Sequence, residues 1–112
     1  MKKLKKKYLN TLEKLDWTVS GYTDDGMVEL EKYSPAGEDF LMCVEVKNFP
    51  AAVLKYWEEF DADDHVEELI EAKRNGFQGV PRASVLVKDA EAINDMLKEL
   101  ADALGEVEEA SA

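Results

Sequence analysis

Apolar residues recur along this chain with two rhythms. Leu4, Tyr8, Leu12 and Leu15 fall at i, i+4, i+8 and i+11, one stripe at the 3.6-residue period. A helix is therefore predicted over 2–15, with Leu9 widening the stripe and the lysines on the other face. The rhythm then changes to two. Residues 17–23 are rich in aromatic and β-branched side chains and end at Asp24-Asp25-Gly26, where Asp-Gly predicts a type I′ hairpin turn. Over 27–33, Val28 and Leu30 alternate with Glu29 and Glu31. After a loop at Ser34-Pro35-Ala36-Gly37, residues 40–47 put Phe40, Met42, Val44 and Val46 on one face and Leu41 and Cys43 on the other. Three consecutive strands with short connections predict an antiparallel meander.

The helical rhythm returns at Asn48, a candidate N-cap with Pro50 in the first turn behind it and Phe49, Val53, Trp57 and Phe60 as the apolar stripe. Asp61 is expected to cap the next helix, with Asp63 and Asp64 in its first turn, where the helix dipole favours negative charge. Val66, Leu69 and Ile70 should face inward, Lys73 and Arg74 close the last turn, and Asn75-Gly76 should end it before a connector over 77–81. Residues 83–87 have strand composition but follow Pro81, and a helical turn is the preferred reading. The clearest helix spans 89–104 through Ala90, Ile93, Leu97, Leu100 and Leu104, with Gly105 as its stop and a frayed tail over 106–112. The fold class expected is α+β: an N-terminal helix, a three-stranded antiparallel meander, then two or three C-terminal helices packed on the sheet.

A length of 112 residues predicts one domain, in which 1–7 form a basic arm or helix start. With 46% hydrophobic and 35% charged residues the composition is that of a folded rather than a disordered chain. Cys43 is the sole cysteine, which excludes an internal disulfide, fits a reducing compartment, and reads as a small buried hydrophobe rather than a reactive thiol. No apolar run approaches the ~20 residues of a membrane span. No apolar stretch follows the basic start, so neither a secretory signal nor a membrane partner is expected, and the cytoplasm is the expected location.

The net charge of −11 divides into +5 up to Lys14 and −16 over the rest. Such a body repels nucleic acid and suits a basic protein partner or plain solubility. Lys2, Lys3, Lys5, Lys6 and Lys7 could grip phosphates, but the acidic remainder disfavours it. Asp63, Glu67 and Glu71 follow i, i+4 spacing, as do Asp64 and Glu68. Together with Asp61 these six carboxylates are the candidate binding surface, with the loop over 34–39 near them in sequence.

A solvated face is the ordinary meaning of such a stripe. A sharper one is mimicry of nucleic-acid phosphates by an inhibitor of a defence protein, because neighbours at this spacing stand about 5–6 Å apart. His65 is the only histidine, and with Asp61 at i, i+4 it is a weak candidate for a metal pair, short of the three or four ligands that metal sites usually need. No nucleophile elbow, phosphate loop or dinucleotide fingerprint occurs, so no catalytic residue and no cofactor are assigned and a non-enzymatic binding or regulatory role is expected. Besides mimicry, the alternatives are a small metal-dependent protein centred on His65, and a structural homodimer through the sheet face carrying Leu41 and Cys43.

Several segments together carry a resemblance: Gly21 to Gly26, Ser34 to Phe40, Asn48-Phe49-Pro50, Phe60 to His65, Gly79-Val80-Pro81, and Asp89 to Ile93 continuing through Leu104. In this pattern the chain resembles a family of small uncharacterised acidic proteins encoded by gut Firmicutes and their mobile elements. The resemblance covers most of the chain after Leu15 and implies no catalytic residues. It implies a bacterial or phage cytoplasmic protein, with an accessory inhibitory or regulatory role on a mobile element.

Overall fold

A computed structural model of the chain describes residues 3–35, 37–74 and 83–110. In chain order the elements are α1 (Lys6–Lys14), β1 (Thr18–Tyr22), β2 (Met27–Tyr33), β3 (Asp39–Glu45), α2 (Phe49–Glu59), α3 (Ala62–Arg74) and α4 (Ala83–Ala110). This is the expected α+β architecture, with all three later helices present. The strands pair antiparallel in the order β1-β2-β3. The expected stop at Asn75-Gly76 and the connector over 77–81 lie outside the described residues, as do the side chains of Leu69 and Ile70.

The helix expected from residue 2 begins at Lys6, with Lys5 extended at the N-cap position. Leu4 still reaches the core from the preceding segment, whereas Leu9, expected to widen the stripe, is exposed. The C-terminus of α1 is closed by two bonds. The Trp17 N–H donates to the Leu12 carbonyl at 2.8 Å, and the Asp16 N–H to the Glu13 carbonyl at 3.1 Å. This is a Schellman motif with Asp16, at φ 64°, in the left-handed position that glycine usually takes. It turns Trp17 back over Leu12, and both are buried. Lys32 on β2 completes the end, donating to the Leu15 carbonyl at 2.7 Å with its ammonium 5.9 Å from the Trp17 ring centre.

The hairpin turn is not the type I′ expected from Asp-Gly. Only Gly26 of the three turn residues has positive φ, 85°, and the Thr23 N–H donates to the Met27 carbonyl at 2.9 Å. The loop is therefore three residues long with glycine in the left-handed position, the other common hairpin solution. The Thr23 hydroxyl holds it by accepting from the Met27 N–H and donating to the Asp25 carboxylate.

Between Val19 and Gly21 the register shifts by one, leaving Ser20 as a bulge. The bulge resets the alternation, so Val19 and Tyr22, three apart in sequence, both pack on the core. Val28 and Leu30 on β2, with Phe40, Met42 and Val44 on β3, form the rest of the buried sheet face.

α4 is the central helix, touching α1, α2 and α3. Ile93, Leu97, Leu100 and Leu104 are fully buried along it. Its bounds differ from expectation at both ends: the ambiguous 83–87 segment is its first helical stretch, and Gly105 does not stop it. Residues 106–110, expected to fray, are helical, because the last turns are held from outside. Val107 packs on the core, Lys7 pairs with Glu108 at 3.4 Å, and the buried Tyr8 hydroxyl donates to the same carboxylate. The basic start of the chain thus meets the acidic end of α4. Although α4 is about 42 Å long at 1.5 Å per residue, no helix among the described residues is long and apolar enough to cross a membrane.

The outer sheet face is open. Leu41 is 56% exposed, and Cys43, expected to be buried, is exposed beside it. The pleat decides this: buried Met42 and Val44 flank Cys43 on the strand and force it outward.

Candidate functional site

The start of α3 and the loop leading into β3 face each other across a cleft of about 570 Å³. Its apolar surface comes from Phe40 and Leu41 on β3, Tyr56 on α2 and Phe60 between α2 and α3. The Phe40 ring is the hub. Phe60 meets it edge-on at 6.0 Å and 88°, Tyr56 at 6.4 Å and the His65 imidazole at 6.1 Å. Six carboxylates complete the lining: Glu38, Asp39, Glu59, Asp61, Asp64 and Glu68. Among the described residues no lysine or arginine lines it; Lys55 approaches one rim carboxylate from outside, in an exposed contact with Glu59 at 4.0 Å.

The six sequence-predicted residues divide. Asp61, Asp64 and Glu68 enter the cleft, whereas Asp63, Glu67 and Glu71 lie on α3 away from its lining; all six are exposed. Asp61 caps α3 as expected: its Oδ1 accepts from the Asp63 N–H at 2.9 Å and from the Asp64 N–H at 3.3 Å. Asn48, the other expected cap, occupies its position in the left-handed conformation at φ 56° and makes no side-chain capping bond.

The Asp61–His65 metal pair is not assembled. The Asp61 carboxylate is committed to backbone amides, and His65 turns to Glu38, its Nε2 lying 3.0 and 3.2 Å from the two carboxylate oxygens. Among the described residues no group of three or more histidine, cysteine or acidic side chains is disposed to hold a metal ion.

Sequence reasoning missed what stands behind His65. Ser34 and Asp89 are buried, and the Ser34 hydroxyl donates to Asp89 Oδ2 at 2.8 Å. The same hydroxyl accepts from the Glu38 N–H at 2.9 Å. Burial pushes the Glu38 carboxyl above its ordinary range, His65 pulls it down, and Asp89 pushes it further up. The one available signal was the polar pair Ser34 and Asp89 at the edges of apolar runs, which nothing connected across the 55 residues between them.

Among the described residues no serine, cysteine and histidine meet here as nucleophile and base: His65 faces a carboxylate, Ser34 is held by Asp89, and Cys43 is on the outer sheet face. What the cleft offers chemically is negative charge over an aromatic surface. No protein-family model, no curated protein and no solved structure matches the chain.

Proposed function

We propose that this chain is a non-enzymatic protein-binding or regulatory domain whose acidic cleft receives basic side chains of a partner protein. The observation that carries the reading is the juxtaposition of Glu38 and Asp39 with Asp61, Asp64 and Glu68 around Phe40 and Phe60, with no lysine or arginine among the described residues of the lining. A guanidinium or ammonium entering there meets carboxylates at the rim and aromatic rings beneath, a combination that favours a cation with an apolar stem. On the resemblance to the mobile-element family, the domain would act as an accessory regulator. The continuous exposure of Asp63, Glu67 and Glu71 favours one special case, a nucleic-acid mimic that inhibits a defence protein.

The test is a tagged pull-down from native lysate, washed at low and at high salt, run beside an Asp64→Lys/Glu68→Lys variant. Both positions are exposed, so the variant keeps its core. A basic protein held at low salt, released at high salt and lost from the variant supports the reading, because exposed charge contacts are screened within about 8 Å at physiological ionic strength. Capture unchanged in the variant, or nothing captured at either salt, overturns it.

A further inference from the structure

On the reading of the cleft as a site for basic side chains, we propose that the free edge of β3 receives an extended basic segment of the partner protein as an added strand, with alternate side chains of that segment entering the cleft. β3 is an edge strand, since the sheet order is β1-β2-β3. The register fixes which of its backbone groups are unused. At one end of the β2–β3 ladder the Ser34 N–H donates to the Glu38 carbonyl at 2.8 Å, and at the other the Val46 N–H donates to the Gly26 carbonyl at 3.0 Å. Hydrogen-bonded and non-hydrogen-bonded pairs alternate along an antiparallel ladder. Phe40, Met42 and Val44 therefore turn their N–H and C=O groups to β2, and Asp39, Leu41, Cys43 and Glu45 turn theirs outward. Among the described residues no hydrogen bond reaches those outward groups.

The two edges of the sheet are not alike. β1 is five residues long and interrupted by the bulge at Ser20, a usual protection against edge pairing. β3 is seven residues long, pairs with β2 at every position without a shift, and carries charge only at its ends, Asp39 and Glu45. Exposed Leu41 and Cys43 lie between them. A regular edge of this kind is a template for a further strand.

The cleft opens along this edge. Its wall on the sheet side is Glu38, Asp39, Phe40 and Leu41, and among the described residues none of β2 contributes. Phe40 is buried on the inner face and Leu41 points to the outer one, so a cavity that touches both and misses β2 lies beside the free side of β3. A strand laid there directs alternate side chains inward, toward Phe60, Asp64 and Glu68, and the others over Leu41 and Cys43. The carboxylates select lysine or arginine at the inward positions. The apolar strip selects β-branched residues at the outward ones. A second copy of this chain is the poorer occupant. Two-fold pairing of β3 about Met42 sets Asp39 of each copy opposite Glu45 of the other, and like charges directly opposite are destabilising. β3 also has no lysine or arginine to offer the cleft.

The test is amide hydrogen exchange by NMR on the full chain at low salt, with the peptide acetyl-Val-Arg-Thr-Lys-Val-Arg-Thr-amide as the probe. In the free protein the Leu41 and Cys43 amides should exchange faster than those of Met42 and Val44. With peptide at about ten times its Kd they should slow roughly tenfold. The Asp64→Lys/Glu68→Lys variant should bind the peptide about tenfold more weakly. N-methylation of alternate peptide residues gives two forms of unchanged charge, of which the one methylated at the N–H groups facing β3 should lose binding and the other keep it. A peptide that binds without protecting Leu41 and Cys43, or two methylated forms that bind alike, overturns strand addition and leaves the cleft reading in place. Protection with an affinity unmoved by Asp64→Lys/Glu68→Lys overturns the basic occupant and the cleft reading together. Protection that grows with protein concentration in the absence of peptide gives the edge to a second copy and overturns the proposal, as does a peptide that does not bind.

Discussion

Gly105 offers a test in which the sign of the answer decides between two structures. If α4 ended there, Gly105 would occupy the left-handed position of a helix C-terminus, and alanine would be strained by roughly 1 kcal/mol. In the structure α4 runs on to Ala110, Gly105 is not among the residues with positive φ, and a Cβ built on it meets nothing within 4 Å. Gly105→Ala then replaces the poorest ordinary helix former by the best with no steric penalty, and should stabilise the protein by about 0.8–1 kcal/mol. For a domain near 100 residues this corresponds to a rise in Tm of roughly 3–8 °C. The assay is a pair of thermal melts followed by circular dichroism at 222 nm, with urea melts to confirm an unchanged m-value. A lower Tm would refute a continuous α4 and return Gly105 to the role of a stop. A companion Glu108→Gln change isolates the cause of continuity, since it weakens the Lys7 and Tyr8 contacts that hold the last turns.

Three other outcomes are expected. Leu97→Ala, at a fully buried position of the central helix, should lower stability by about 2–5 kcal/mol in urea denaturation, whereas Leu54→Ala at a 43% exposed position should change it little. Tyr8 is pushed up to about 12, first by its hydrogen bond to Glu108 and then by burial, so the stability tied to its neutral form is present below pH 10 and lost between pH 10 and 12; absorbance at 295 nm should show a late-ionising tyrosine that moves down in Glu108→Gln, and an unmoved titration would contradict the contact. Cys43 should be labelled to completion by a disulfide reagent in the folded protein, but slowly, because desolvation, Glu29 and Asp25 all raise its thiol; labelling that waits for denaturant would place it inside.

Part of the candidate site was legible in the sequence. The exposure of Asp63, Glu67 and Glu71 follows from a helix whose other face carries Val66, and the capping role of Asp61 follows from its place before Asp63 and Asp64. The cleft was not legible. Glu38 and His65 are 27 residues apart, and their pairing depends on β3 carrying the loop back beneath α3. A local pattern contains no information about such closures, because their energies come from contacts that exist only after the chain has folded.

By itself the sequence determined the element types, the meander, the buried faces of β2 and β3 and the apolar stripe of α4, because hydrophobic period is a local property that burial then enforces. It also determined the charge, −11 in all, which is +5 up to Lys14 and −16 over the rest. Tertiary structure alone decided where elements stop and which polar groups meet. Gly105 stays helical because Tyr8 and Lys7 hold Glu108, and Tyr22 turns inward because Ser20 bulges. Asp61 and His65 part company because one finds backbone amides and the other finds Glu38. In each case two locally acceptable conformations differ by about a kcal/mol, and a long-range contact of similar size selects one.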